Sequence, residues 1–298
     1  MIALDGILAP VVTPFDGDGA VDGAAFAANV RAHLEAGLHG VVVAGSTGEA
    51  ALLDETERDR LVELARESMP ADRTLVVGTG AESTRSVMAR NRSAAERGAD
   101  AVLVVAPHYY GDAMTPDALW EHYLRIADAS PVPVLLYSIP KYMHFALSAD
   151  VVARLAQHDN IVGMKDSSGD ATLLRGYIDA QSESFRVLTG SGSLLGEALR
   201  LGAHGAILAV ALFAPALSLD VLRAARRGDV AGASAAQARL TPLAARIVAG
   251  MGVAGVKAAL DQVGLHGGEP RPPLRRLAGS SLATLRELVE AAELAPAR

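Results

Sequence analysis

A lysine at the end of an apolar run is the residue of this sequence best suited to covalent chemistry. Lys165 lies in the stretch 161–169, which begins apolar and ends in a polar turn that contains glycine. The chain has 27 basic residues, of which only Lys141, Lys165 and Lys257 are lysines. Arginine keeps its charge in proteins, whereas a buried lysine can lose its proton and act as an amine nucleophile. Lys165 is therefore a candidate nucleophile, and the alternative is a structural lysine paired with Asp166.

Hydroxyl groups occur where a small acid could bind. The segment 45–49 reads Gly-Ser-Thr-Gly-Glu, and its glycines allow backbone N–H groups to converge on an anion such as a carboxylate. The alternative is an ordinary strand-to-helix turn. Tyr137 ends another apolar run, so its hydroxyl should contact a polar group, either a substrate or a structural partner. Tyr109 and Tyr110 are candidates for interface or lid positions. The eight histidines lack the spacing of metal ligands, so we expect no metal site.

Strand-like and helix-like segments alternate eight times along the chain. The strand-like runs span 7–15, 40–45, 74–79, 101–107, 133–139, 161–165, 186–189 and 205–210, and helical segments follow at 22–37, 54–68, 83–97, 115–129, 148–157, 170–182, 193–201 and 214–227. Continuous apolar strands separated by helices indicate a parallel sheet covered by helices. Eight such units predict an α/β fold of the (β/α)8 TIM-barrel type. A doubly wound sheet is the alternative, but no G-x-G-x-x-G fingerprint is present.

The pattern changes near residue 228. Alanine-rich helical segments at 239–249, 253–264 and 281–292 then continue to the end, interrupted by a Gly- and Pro-rich turn at 267–273. We interpret residues 1–228 as the barrel with the active site and residues 229–298 as a C-terminal helical appendage.

Polar residues collect at the ends of the strand-like runs, whereas most of these runs begin with an apolar residue or glycine. Because active sites of such barrels lie at the carboxyl ends of the strands, Lys165, Tyr137 and the segment 45–49 should converge on one cavity.

Composition excludes several other classes of function. The net charge of −7 and the pI near 5.6 argue against a nucleic-acid surface. No apolar run reaches the roughly 18 uninterrupted residues of a membrane span, so we expect no membrane partner. Cysteine is absent, and the first residues lack the pattern of a signal peptide. Both features fit a cytoplasmic protein.

Three segments together resemble a known family. Gly-Ser-Thr-Gly-Glu at 45–49, Tyr-Ser-Ile-Pro at 137–140 and Gly-Met-Lys-Asp-Ser at 163–167 are similar, in order and spacing, to signature segments of the dihydrodipicolinate synthase / N-acetylneuraminate lyase family. The similarity extends over nearly the whole chain. It implies a (β/α)8 barrel with a helical extension, a homotetramer built from two tight dimers, and class I aldolase chemistry without a metal or organic cofactor.

The resemblance also implies roles for individual residues. Lys165 would form a Schiff base with pyruvate or another 2-oxo acid, and Tyr137 would be the general acid/base. Ser46 and Thr47 would hold the carboxylate, with Thr47 also in the proton relay. Tyr109, or alternatively Tyr110, would complete that relay from the neighbouring subunit. Further expected substrate contacts are Ser167, Gly190 and Ile207.

One departure from the family bears on the substrate. Dihydrodipicolinate synthases generally carry an arginine shortly after the strand-five tyrosine, where it binds a second carboxylate; here Tyr142 is near that place and Lys141 precedes it. The residues around the three motifs are more similar to those of 4-hydroxy-2-oxoglutarate aldolases. We therefore expect a pyruvate aldolase that acts on a 4-hydroxy-2-oxo acid. The alternatives are a 4-hydroxy-tetrahydrodipicolinate synthase that condenses pyruvate with aspartate semialdehyde, a dehydratase for 2-oxo-deoxy sugar acids, and a non-enzymatic sensor.

Overall fold

Eight parallel strands close into a cylinder at the centre of the molecule. A computed structural model describes residues 2–294, and in it the strands follow one another in sequence order, with the first and last paired to complete the barrel. The strands are β1 (Gly6–Pro10), β2 (Gly40–Val43), β3 (Thr74–Gly78), β4 (Ala101–Val105), β5 (Val134–Ser138), β6 (Ile161–Asp166), β7 (Arg186–Thr189) and β8 (Gly205–Ile207). The predicted (β/α)8 barrel is confirmed.

Helices surround the barrel and continue beyond it. They are α1 (Gly23–Glu35), α2 (Glu55–Glu67), α3 (Thr84–Glu96), α4 (Pro116–Ala129), α5 (Pro140–Met143), α6 (Ala149–Leu155), α7 (Ala171–Ile178), α8 (Leu195–Leu201), α9 (Pro215–Arg226), α10 (Val230–Pro242), α11 (Gly252–Gln262) and α12 (Gly279–Ala291). The caps explain several of these starts: Asp54 and Glu57 form a reciprocal capping box, and Ser83 and Thr115 each accept a hydrogen bond from a backbone N–H of the first turn.

Six predicted strands are shorter in the structure, and the first and the eighth end at least three residues early. The first was expected to reach residue 15 but ends at Pro10. Residues 11–15 stay buried, with a hydrogen bond from Val11 N to Val42 O and an isolated antiparallel bridge between Phe15 and Val21. The eighth ends at Ile207, because Ala209–Leu212 turn into a short 3₁₀ helix. An apolar run in the sequence indicates that residues are buried, and these residues stay buried beyond the last paired residue of the strand.

The C-terminal segment is more helical than the sequence suggested. Residues Val230–Gln262 form one helical stretch of 33 residues, long and apolar enough by length and composition to cross a bilayer. The expectation that no stretch would qualify was wrong by length and composition. Gly252 nevertheless departs from helical backbone within the stretch, with φ of 65° and ψ of −150°. Leu240, Leu243 and Ile247 are nonetheless buried against the rest of the protein, as in a helix that covers a globular core. We propose a boundary between barrel and appendage after α9.

The middle of that stretch, Leu243–Met251, is a π-helix. Pro242 comes directly before it and has no N–H to donate to the preceding turn, so the regular α-helical bonding cannot continue there. The π-helix and the start of α11 face the carboxyl ends of the strands.

Candidate active site

Lys165 and Tyr137 lie side by side because their strands pair in register. In the β5–β6 ladder Tyr137 stands opposite Lys165. Lys165 Nζ lies 3.2 Å from the Tyr137 hydroxyl oxygen, within hydrogen-bond distance, and the two residues are 6% and 4% exposed. An amine held beside a phenol in this shielded position can exchange a proton with it.

The loop 45–49 follows β2 and presents Ser46 and Thr47 to the same cavity. Ala44, which precedes the loop, and Glu49, its last residue, have left-handed backbone, with φ of 51° and 58°. Thr13 Oγ1 donates to Gly48 O at 2.7 Å, and a Cβ at Gly48 would lie 2.9 Å from the carbonyl oxygen of Val11. The loop therefore has one tightly specified conformation.

That conformation leaves two donors available. Hydrogen bonds within the loop engage the N–H groups of Gly48, Glu49 and Ala50, whereas those of Ser46 and Thr47 have no partner among residues 2–294. Two free N–H groups and two hydroxyls suit a carboxylate.

A cavity of about 260 Å³ joins these groups. Seven of the eight site residues predicted from the sequence line it: Ser46, Thr47, Tyr137, Lys165, Ser167, Gly190 and Ile207. Gly190 is required by close approach, because a Cβ there would lie 2.0 Å from Ser167 Oγ and 2.8 Å from Lys165 Cε. The absence of a side chain at residue 190 lets the Ser167 hydroxyl and the lysine share the cavity floor.

Tyr109 is the exception among the predicted residues. It is 77% exposed and packs edge-to-face against Tyr110, with ring centroids 5.0 Å apart. The loop that carries it is held by Glu82, whose Oε2 accepts hydrogen bonds from the N–H groups of His108 and Tyr109 at 2.9 Å each. Within the single chain described here, neither tyrosine lines the cavity.

One cavity wall was missed by sequence reasoning. The π-helix and α11 contribute small apolar side chains, namely Ala244, Val248, Ala249, Gly252, Val253 and Val256. Lys141 and Tyr142 on α5 line the cavity opposite the strands. The Lys141 ammonium donates to Ala249 O at 2.8 Å and so ties α5 to the π-helix. A run of small residues in an alanine-rich tail was the only available signal, and it is shared with ordinary helix packing.

Asp166 follows the lysine and has a structural role in the turn. Its carboxylate accepts hydrogen bonds from Ser168 N at 3.0 Å and Ser168 Oγ at 2.8 Å. Burial raises the pKa of Asp166 to about 6. Asp170 accepts from two N–H groups and caps α7. Both residues therefore act as turn and cap residues.

Comparison with known proteins gives a consistent result. The model of the dihydrodipicolinate synthetase family matches residues 3–292. An uncharacterized DapA-like lyase of Halobacterium salinarum is 39% identical, covering 95% of this chain and 92% of the relative. A 4-hydroxy-tetrahydrodipicolinate synthase of Methanothrix thermoacetophila is 33% identical, covering 95% of both chains.

The fold is also similar to those of solved structures. The chloride-inhibited dihydrodipicolinate synthase of Acinetobacter baumannii, in complex with pyruvate, superposes with a TM-score of 0.93 at 32% identity, covering 98% of this chain and 100% of that one. YagE from Escherichia coli K12, also in complex with pyruvate, gives 0.91 at 30% identity and covers 98% and 100%. The expectation of a lyase-type enzyme is confirmed by these relatives. With the barrel, the order of its motifs and the match along nearly its whole length, the chain belongs to the dihydrodipicolinate synthetase family.

Proposed function

We propose that the protein is a class I pyruvate aldolase that makes or breaks a carbon–carbon bond in a 4-hydroxy-2-oxo acid through an imine on Lys165. The observation that carries this proposal is the buried Lys165 amine, 3.2 Å from the Tyr137 hydroxyl and in one cavity with the donors of Ser46 and Thr47. The pyruvate complexes of two structural relatives support a 2-oxo acid as the ligand.

The reaction follows from these positions. The neutral amine adds to the ketone carbon, and loss of water, with protons moved by Tyr137, gives a protonated imine. This imine withdraws the electron pair released when the bond between C3 and C4 breaks, while a base removes the proton of the 4-hydroxyl and an aldehyde leaves. The resulting enamine takes a proton at C3, and hydrolysis of the imine returns Lys165 and pyruvate. Ser46 and Thr47 hold the carboxylate throughout.

The second candidate is a 4-hydroxy-tetrahydrodipicolinate synthase, favoured by the names of several relatives. We rank it lower because the residues that line the cavity in the described chain include no arginine. The Lys141 ammonium, which also lines the cavity, already donates a hydrogen bond to Ala249 O. A bidentate carboxylate contact is therefore missing.

The decisive experiment is imine trapping. The protein is incubated with pyruvate and borohydride, and the intact mass and the peptide containing residue 165 are measured. We expect a reduced pyruvyl adduct on Lys165 that is lost in Lys165→Ala, while the peptide with buried Lys257 stays unmodified. An adduct only with longer 2-oxo acids would favour the dehydratase, and no adduct with any 2-oxo acid would refute the imine.

We also propose a homotetramer of two tight dimers in which Tyr109, or Tyr110, reaches the neighbouring site. The exposure of this pair, at 77% and 70%, supports a partner there. Analytical ultracentrifugation tests the assembly. Turnover of Tyr109→Phe and Tyr110→Phe, measured separately, identifies the tyrosine, and full activity of both variants would contradict the relay.

A further inference from the structure

A second lysine lies in the interior, beneath the loop that holds Ser46 and Thr47. Lys257 is on α11, and its ammonium lies 2.5 Å from Glu49 Oε1, with both side chains fully buried. Glu49 is the last residue of the loop 45–49. The pair thus joins the C-terminal appendage to the segment expected to bind the substrate carboxylate.

Each charge has further partners, as a buried ion pair requires. Lys257 Nζ also donates to Glu269 O at 2.8 Å, and Glu49 Oε2 accepts from Arg271 N at 2.8 Å. The Lys257 ammonium lies 4.5 Å from the centroid of the Phe15 ring, which closes the remaining side. Burial lowers the pKa of Lys257, and its hydrogen bond to Glu49 opposes that shift.

The same helix touches the active site twice. Gly252, Val253 and Val256 at the start of α11 line the cavity, and the next residue, Lys257, holds Glu49. One helix therefore both lines the cavity and contacts the loop. The loop needs such support, because Glu49 has left-handed backbone with φ of 58°, a conformation that is unfavourable for a residue with a side chain.

We propose that Glu49 and Lys257 are positioning residues through which the C-terminal appendage fixes the loop 45–49 for binding of the 2-oxo acid carboxylate. This inference rests on the proposed function in assigning the carboxylate to Ser46 and Thr47. It makes the appendage a working part of the site, beyond a cover for the barrel.

The chain offers a matched control. Asn29 on α1 is buried and binds the same tail segment: its Nδ2 donates to His266 O at 2.7 Å, and its Oδ1 accepts from His266 N at 3.0 Å. Asn29→Ala loosens the tail without touching the loop. Any effect that needs only a firmly docked tail should appear in this variant too.

The test compares Glu49→Gln, Lys257→Met and Asn29→Ala in two measurements. The first is the pyruvate concentration that half-saturates borohydride trapping, and the second is amide hydrogen exchange of the peptide spanning 44–53. We expect tenfold or greater increases in both for the first two variants, with the maximum extent of trapping retained. Asn29→Ala should stay within twofold of the wild type in both while its melting temperature falls.

A further variant separates positioning from stability. Glu49→Gln/Lys257→Met leaves no unpaired buried charge and should recover stability, so it serves if a single variant does not fold. It should still bind pyruvate tenfold more weakly. Unchanged exchange and half-saturation in the folded double variant, or equal changes in Asn29→Ala, would overturn the proposal. If the wild type formed no adduct, the aldolase would be refuted, and loop exchange alone would decide the positioning role.

Discussion

At the scale of single residues, we expect the proposed chemistry to depend on the Tyr137 phenol beside Lys165. Tyr137→Phe keeps the ring against the lysine but removes the hydroxyl 3.2 Å from Nζ. We expect turnover to fall about 10²- to 10⁴-fold, as is typical when a general acid/base is lost. Steady-state kinetics and the rate of borohydride trapping measure this effect.

A tyrosine outside the cavity provides the comparison. Tyr123 is fully buried, and its hydroxyl donates to Val104 O at 3.0 Å, so Tyr123→Phe should lower stability and leave turnover within a few-fold. Equal losses of turnover in the two variants would mean that Tyr137 acts only through packing.

Gly190→Ala tests the crowded cavity floor. The new methyl group would have to displace the Ser167 hydroxyl and the end of the Lys165 side chain, at 2.0 and 2.8 Å. We expect trapping to slow at least tenfold while the fold persists, since the three atoms nearest to the added Cβ all belong to side chains. Gly17→Ala, where an added Cβ meets nothing within 4 Å, is the neutral control. Wild-type trapping in Gly190→Ala would show that the floor has room to adjust.

At the scale of elements, Lys141 and Tyr142 of α5 line the cavity, and we expect them to influence what its far end binds. Tyr142→Arg places a guanidinium near the position where the resemblance implies an arginine in dihydrodipicolinate synthases, and a guanidinium can form two parallel hydrogen bonds to a carboxylate. We expect condensation of pyruvate with aspartate semialdehyde to rise tenfold or more in a coupled assay, whereas Tyr142→Phe should give no gain. No increase would show that missing charge at this place is not what limits the synthase reaction.

How far the elements could be foreseen depended on whether their cause was local. The strand runs, the helical segments between them and the lysine at the end of β6 depend on neighbouring residues, and they were predicted. The four-residue helix α5 is too short for a periodic signal. The π-helix and the pairing of Glu49 with Lys257 arise only when the C-terminal appendage packs on the barrel, so no local sequence pattern predicts them. For the same reason the sequence placed Tyr109 at the site only through resemblance, and the single chain leaves it outside.

At the scale of the whole molecule, buried titratable groups set the response to acid. Burial lowers the pKa of both His33 and His122 to about 4. Between pH 6.5 and 5 these two histidines therefore bind protons in the unfolded chain but not in the folded protein. Stability consequently decreases as the pH is lowered. Asp166, with its raised pKa of about 6, acts in the opposite direction because its folded form binds a proton first.

The histidine contribution can be isolated. His33→Gln/His122→Gln should reduce the stability lost between pH 6.5 and 5 by about 3 kcal/mol, from two protons over this range. Urea denaturation at both pH values measures the difference for wild type and variant. If the variant loses as much stability as the wild type, these imidazoles bind protons as readily in the folded protein as in the unfolded chain.

The scarcity of lysine has a practical consequence for the molecule as a whole. Of its three lysines, Lys257 is fully buried, Lys165 is 6% exposed, and only Lys141 is exposed to solvent. An amine-acylating reagent too large to enter the cavity will therefore modify Lys141, beside Ala249 at the cavity, in preference to the other two lysines. A small fluorescent label attached there would sit over the opening and report directly on whether the cavity is filled.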